Sequence, residues 1–260
     1  MQLNQYAHDY KINYIKGIDG LRALAVFSVV IFHSNASFLP GGYTGVDIFF
    51  VISGYVVSSS LAKNVSVNFL TFIFNFYAKR FLRILPALLL CLFITTIFVT
   101  LYVPNAWLSH TFKNTGLSAF WGVSNIVLAW DANNYYSPSS DFNPFLHTWS
   151  LGVEEQFYLI FPFIFYVGCH FKNHRKINGL MGRYLLQALF FSSLLFSGYE
   201  GHHNPLNAFY LLPSRFWELA VGALLFKLHS RRQATPNASF SVYLCFMVGL
   251  LLITTAFAFS

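Results

Sequence analysis

Between Ile84 and Val103 the chain runs for twenty residues without a charged side chain. As a helix that run is about 30 Å long, the thickness of a bilayer's hydrocarbon core. Comparable apolar stretches recur along the whole chain. Of its 260 residues 56% are hydrophobic and 10% charged, against about 25% charged in an ordinary soluble domain. A water-soluble globular fold is excluded. The expected fold is all-α, a polytopic transmembrane helix bundle of about seven to eight membrane segments with an interfacial amphipathic helix. It comprises a cytoplasmic tail, 1–16, and one transmembrane domain, 17–260.

In that setting the formal net charge of +7 belongs to loops beside anionic lipid, and no nucleic-acid partner is expected. Cys91, Cys169 and Cys245 each lie inside an apolar run, so neither a disulfide framework nor a zinc pattern is read, and no metal is expected. Met1 to Lys16 is polar and lacks a cleavage signal, so no removable signal peptide is read.

The expected spans run from about Gly17 to Phe38, Tyr43 to Leu61, Ile84 to Val103, Leu146 to Phe171, Tyr184 to Gly198, Tyr210 to Leu228 and Phe240 to Phe259. Pro40 to Gly42 is a turn. Asn68 to Arg83 alternates aromatic and polar residues and reads as the interfacial helix. A polar linker covers Asp131 to Pro144, and a polar hairpin carries His202 and His203.

Gly116 to Trp130 is apolar but short, and contains Gly122, Ser124 and Asn125. The positive-inside rule decides how to read it. With a cytoplasmic N-terminus and no crossing by this segment, Lys63, Lys79, Arg80, Arg83, Lys172, Arg175, Lys176, Arg183, Lys227, Arg231 and Arg232 all fall inside. A crossing would move the loop from Lys172 to Arg183 outside and destroy the asymmetry. Seven crossings are therefore favoured, with Gly116 to Trp130 interfacial or re-entrant on the outer side.

The stretch His147 to Leu159, HTWSLGVEEQFYL, opens an apolar run yet holds a histidine, a serine and two adjacent carboxylates. At about 100° per residue His147, Ser150, Glu154 and Tyr158 share one stripe of a helix. Trp149, Val153 and Phe157 fall on an apolar side facing lipid or neighbouring helices, and Gln156 lands there without a rationale. A charged group in mid-membrane costs on the order of 3 kcal/mol, so it faces protein or a wet cavity. The plain alternative is a buried ion-pair network that only specifies packing.

Topology sorts the remaining polar residues by depth. Arg22, Arg80 and Arg83 lie at the cytoplasmic end, and His33, Asp47, His147, Ser150, Glu154 and Glu218 in the outer half. Arg22 and His33 are eleven residues apart, which is three helical turns on one face and about 16 Å of rise. That spacing suits a phosphate anchor at one end and a proton-transfer group at the other. A satisfied interior histidine, and plain topological charge for Arg80 and Arg83, are the ordinary alternatives.

Taken together, these segments resemble the acyltransferase-3 family of integral membrane acyltransferases, best known for O-acetylating bacterial surface polysaccharides and peptidoglycan. The likeness runs through GIDGLRALAVFSVVIFH with Arg22 and His33, PGGYTGVDIFFVISGY, RFLRILPA with Arg80 and Arg83, HTWSLGVEEQFYL, and FYLLPSRFWELAVGALLF with Arg215 and Glu218. These five motifs cover nearly the whole chain in collinear order. The chain departs in two ways. It stops near an apolar run where members have about ten spans, and it has Gly152 where they commonly have Ser or Ala.

The resemblance implies an acyl-CoA co-substrate, acetyl-CoA in the first instance, and no bound cofactor. Arg22, Arg80 and Arg83 would hold the donor phosphates through charge-assisted bonds. His33 would act at the thioester, as general base on the acceptor hydroxyl or as a transient acyl carrier. Glu154 or Asp47 would orient its ring, and His147 or Ser150 would stabilise the oxyanion. Arg215, Glu218 and Glu155 are assigned to substrate binding. The partners implied are the lipid bilayer, the donor, a glycan or lipid-linked glycan acceptor, and a periplasmic SGNH-type protein. The location implied is the bacterial inner membrane.

A proton-coupled transporter would also place His, Glu and Arg in spans, but it predicts paired halves, and no internal symmetry is visible. An inactive remnant keeping the fold without the last spans is the other rival. The topology is tested with single cysteines at Asp141 and Lys176 in a background lacking native Cys. The two should label from opposite sides of the membrane; labelling of both by an impermeant reagent from outside would overturn the seven-span arrangement.

Overall fold

A computed structural model describes residues 15–63, 68–104, 110–131, 143–170, 176–232, 249, 251 and 253–257. The expected N-terminal tail before Ile15, the linker after Asp131 as far as Phe142, the loop carrying Lys172 and Arg175, and most of the last span lie outside the described residues.

Every regular element among the described residues is helical. They are α1 (Lys16–Ser34), a 3₁₀ turn (Gly42–Thr44), α2 (Gly45–Ala62), α3 (Phe69–Tyr102), α4 (His110–Phe120), α5 (Ser124–Asp131), α6 (Thr148–His170), α7 (Lys176–His203), α8 (Pro205–Tyr210) and α9 (Leu212–Arg232). Four stretches are long and apolar enough to cross a membrane: Lys16–Ser34, Gly42–Ala62, Phe69–Tyr102 and Pro205–Ser230. The expected seven to eight segments are a finer count than these four. α6 is 23 residues long but falls outside the four, because Glu154, Glu155 and Gln156 stand together in it. Apolar side chains on α3 such as Leu89, Leu90, Phe93, Phe98 and Leu101 are exposed in one continuous display. Water would not tolerate so large a patch; lipid does.

Two expectations change. Asn68 to Arg83 is not a separate interfacial helix. It is the first half of α3, a helix of 34 residues, about 51 Å long. No helix breaker separates the halves, and Pro86 removes only one backbone hydrogen bond from a helix that continues through it. Likewise the polar hairpin at His202 and His203 is the last turn of α7. Gly116 to Trp130, read as a short segment that does not cross, is divided in the fold. Its two helices meet at Gly122, whose φ of 67° is open to glycine at little cost. With 11 and 8 residues, α4 and α5 rise only about 16 and 12 Å, too little to cross.

The chain forms two compact units, Met1–Lys63 with Glu218–Ser260, and Asn64–Trp217. In the first, α2 packs antiparallel to α1 through glycine. A Cβ on Gly42 would collide with Ser28, and one on Gly45 with Ser28 and Ala25. α2 therefore begins partway along α1, and Phe49 lies 6.0 Å from the Arg22 guanidinium. A second close approach joins α2 to α9 and is reciprocal. Gly54 abuts the Leu219 carbonyl, and Gly222 abuts the Val51 carbonyl. Below that crossing, Tyr55 Oη and His229 Nδ1 share a hydrogen bond of 2.5 Å.

The second unit is aromatic. Phe157 stacks on Phe161 at 4.5 Å, and Trp149 lies 4.6 Å from Phe209. Trp149, Val153 and Phe157 are all buried, so this side of α6 faces neighbouring helices, not lipid. Several polar groups are satisfied within the unit. Tyr77 Oη donates to the Leu159 carbonyl at 2.8 Å. Ser193 Oγ donates to the Pro213 carbonyl at 2.6 Å and accepts from the Trp217 amide at 3.0 Å. A hydroxyl from α7 thus stands in for the i→i−4 bond of the first turn of α9.

The reciprocal glycine crossing is testable. Gly54→Ala and Gly222→Ala should each lower stability by about 1–3 kcal/mol through overpacking. Nothing lies within 4 Å of a Cβ on Gly201, so Gly201→Ala should leave the protein unchanged or stabilise it by up to about 1 kcal/mol. Unfolding midpoints in detergent measure all three.

Candidate active site

In the second unit the polar residues gather on α3 and α6. Arg80 of α3 places its guanidinium 4.7 Å from the centre of the Tyr158 ring and 5.6 Å from that of Phe76. Tyr158 Oη donates to Glu154 Oε2 at 2.9 Å. A cation over a phenol ring withdraws density from it, which strengthens the hydroxyl as a donor to the carboxylate. Glu154 and Tyr158 are each 6% exposed and Arg80 is half-buried, so the three form an electrostatically coupled row leading into the bundle. The i, i+4 spacing of Glu154 and Tyr158 is what brings them together.

Beside this row is a cavity of about 240 Å³. Arg80, Tyr77 and Phe81 line it from α3, Trp121 and Gly122 from the turn between α4 and α5, and Glu155 and Tyr158 from α6. Glu155 is half-buried and has no hydrogen-bond partner among the described residues. A Cβ on Gly122 would overlap Glu155 Oε2. Only a glycine at the turn leaves this carboxylate its place. The cavity thus combines a guanidinium, a carboxylate and four aromatic rings, which suits a ligand bearing both polar and apolar parts.

Gln156, which had no rationale in the sequence, has one in the fold. Its Nε2 donates to Asn125 Oδ1 at 2.7 Å and to the Gly122 carbonyl at 3.2 Å. Asn125 Nδ2 in turn donates to the Tyr210 carbonyl at 3.0 Å. Gly152, one turn before Gln156, makes room, because a Cβ there would come within 2.7 Å of Asn125 Oδ1.

The other expected residues lie elsewhere in this unit. Arg83 is exposed, one turn beyond Arg80 on α3. His147 is exposed in the turn that enters α6, and Ser150 Oγ reaches back to the His147 carbonyl at 3.4 Å, a weak bond. That turn is anchored by Asn143, which accepts from the Phe145 amide and donates to Thr115 Oγ1. The Asn143–Pro144 dipeptide was the signal for it. Arg215 is held against aromatic rings, 5.0 Å from the Phe209 centroid and 5.7 Å from that of Trp149, with Nε donating to the Phe209 carbonyl.

In the first unit, Arg22 and His33 share α1. Arg22 is half-buried over Phe49, and His33 stands in the last turn, where a cation would complement the helix dipole. His33 Nδ1 lies 2.8 Å from the Val29 carbonyl. A carbonyl can only accept, so Nδ1 carries the proton and a neutral ring has its lone pair on Nε2. His203 makes the same contact with the Tyr199 carbonyl, so the bond fixes a tautomer without marking a catalytic residue. Asp47 lies in the first turn of α2, between the Gly45 and Phe49 contacts with α1. Along α1 it therefore stands between the levels of His33 and Arg22. Glu218 of α9 is buried at 1% exposure.

With this geometry in place, the comparison with known proteins is direct. Residues 15–260 match the family described as an acyltransferase domain, and the chain belongs to that family. It is 32% identical over 229 residues to YrhL of Bacillus subtilis (strain 168), covering 86% of this chain and 35% of that one. It is 35% identical over 189 residues to O-acetyltransferase OatA of Staphylococcus aureus (strain NCTC 8325 / PS 47), covering 73% and 30%. Peptidoglycan O-acetyltransferase OatA of Listeria monocytogenes is 31% identical over 218 residues, covering 83% and 34%. The chain thus spans about a third of the length of the curated relatives it matches. No solved structure matches it.

Glu154→Gln separates charge from shape at the coupled row. Glutamine accepts the Tyr158 hydrogen bond but carries neither charge nor a transferable proton. The variant should insert and accumulate as the parent does while losing most acyl transfer, measured per mole of purified protein.

Proposed function

We propose that the chain is the membrane acyltransferase part of an O-acetyltransferase. It would move an acetyl group from cytoplasmic acetyl-CoA to a hydroxyl of a cell-envelope glycan or its lipid-linked precursor. The observation that carries this reading is the family match over nearly the whole chain, joined to relatives named as O-acetyltransferases, two of them for peptidoglycan. In this reading the protein sits in the bacterial inner membrane with its N-terminus in the cytoplasm.

The roles divide by chemistry. Arg22 of the first unit, and Arg80 and Arg83 of the second, are guanidinium groups suited to the phosphates of the donor. His33 is the base. Its Nε2 lone pair takes the proton of the acceptor hydroxyl as that oxygen bonds to the thioester carbonyl carbon. The C–S bond then breaks, and the proton passes from Nε2 to the departing thiolate. Glu154, coupled through Tyr158 to Arg80, supplies the fixed negative charge of the second unit, and Glu155 faces its cavity. His147, Ser150, Asp47, Arg215 and Glu218 keep their assignments as groups that stabilise charge or bind the acceptor.

The test is a division of labour along α1. An arginine that grips phosphate contributes alike to ground and transition states, so Arg22→Ala should mainly raise the KM for acetyl-CoA. Arg22→Lys should recover part of the loss. His33→Ala should lower kcat by at least about 10²-fold with donor KM little changed. Steady-state transfer by purified protein in lipid, with donor binding measured separately, checks both. Weakened donor binding with intact turnover in His33→Ala would overturn the assignment.

A further inference from the structure

The carboxylates of α6 depend on how that helix is rotated about its own axis. Residues Glu154, Glu155 and Gln156 project at about 100° to one another. Rolling the helix by one such step would send Glu155 into the place of Glu154 and remove it from the cavity. The burial of Trp149, Val153 and Phe157 opposes such a roll through contacts that have no direction of their own. Directional bonds resist it well.

The fold supplies those bonds on a single face of α6. Gln156 Nε2 donates to Asn125 Oδ1 at 2.7 Å and to the Gly122 carbonyl at 3.2 Å, while Asn125 Nδ2 donates to Gln156 Oε1 at 3.4 Å and to the Tyr210 carbonyl at 3.0 Å. Asn125 is fully buried, so breaking the bracket would strand amide groups away from water. The bracket clamps the Gly122 turn directly against Glu155, the carboxylate that its missing side chain accommodates. Gly152 completes the fit by leaving space for Asn125.

We propose that Asn125 and Gln156 are positioning residues: their amide bracket sets the rotation of α6 that holds Glu155 in the cavity that Arg80 also lines. The two amides need not touch substrate. They act through this carboxylate, so their removal matters only while Glu155 is there to be placed. This rests on the acyltransferase reading above for its kinetic consequence, although the placement itself does not.

Two measurements test it. In the first, Asn125→Leu, close in shape but without hydrogen bonds, should lower kcat for acetyl transfer at least tenfold with protein yield unchanged. Asn125→Asp, which keeps the acceptor for Gln156, should recover part of that loss. In a Glu155→Gln background the added effect of Asn125→Leu should shrink below twofold. Fully multiplicative losses would overturn the proposal, since a merely structural amide would act independently of Glu155. The second measurement needs no activity. A Glu155→Cys variant without Cys91, Cys169 and Cys245 is modified with N-ethylmaleimide. Adding Asn125→Leu should raise the modification rate at least fivefold as the Gly122 turn lifts away. An unchanged rate would overturn the placement. If the rate rises while no version of the chain transfers acetyl, the positioning stands and the acyltransferase assignment fails.

Discussion

A side-chain amide or carboxylate inside an apolar helix bundle has no water to fall back on, so it must be answered by protein. This constraint organises the polar interior. The hydroxyls of Ser28, Ser58, Thr96 and Thr100 fold back onto carbonyls of their own helices. Ser193 bridges a gap in another helix's ladder, and Gln156 and Asn125 answer each other across two helices. What is left over after this pairing is informative. Glu155, with no such partner among the described residues, opens on a cavity.

Glycine makes the complementary contribution. Gly54 and Gly222 let α2 and α9 touch backbone to backbone, and Gly42 and Gly45 do the same for the entry to α2 against α1. Close approach maximises dispersion contact where apolar burial gives no advantage over lipid. Gly122 serves a different end. Its positive φ breaks a segment that would otherwise be one apolar helix, and its absent side chain leaves room for a carboxylate. Packing and chemistry thus use the same residue type for separate reasons.

Within the second unit, the coupling of Arg80, Tyr158 and Glu154 shows how a charged pair can be kept inside a bundle. The guanidinium meets the π face of the ring, and the carboxylate meets its hydroxyl. The tyrosine separates the charges and still conveys one to the other. Such an arrangement answers both charges in a low-dielectric setting through one ring and its hydroxyl. Arg215, packed on Trp149 and Phe209, uses the same device.

The sequence by itself determined the class of fold, because scarcity of charge and helix-length apolar runs are properties of composition and spacing. It also determined the family, because five motifs in collinear order are a one-dimensional pattern. The i, i+4 relation of Glu154 to Tyr158 and the shared helix of Arg22 and His33 were legible for the same reason: a helix turns local spacing into geometry. The shortness of the apolar run from Gly116 to Trp130 was legible, while its division at Gly122 was left to the fold. The fusion of Asn68 to Arg83 with the following span was not legible, since amphipathicity marks which faces a helix presents and not where it ends. Tertiary structure alone decided what Gln156 is for, that Trp149, Val153 and Phe157 face helices, and that Gly152 makes room for Asn125. Each of those depends on a partner 27 or more residues away in sequence, and no local period encodes which distant residue a side chain will meet.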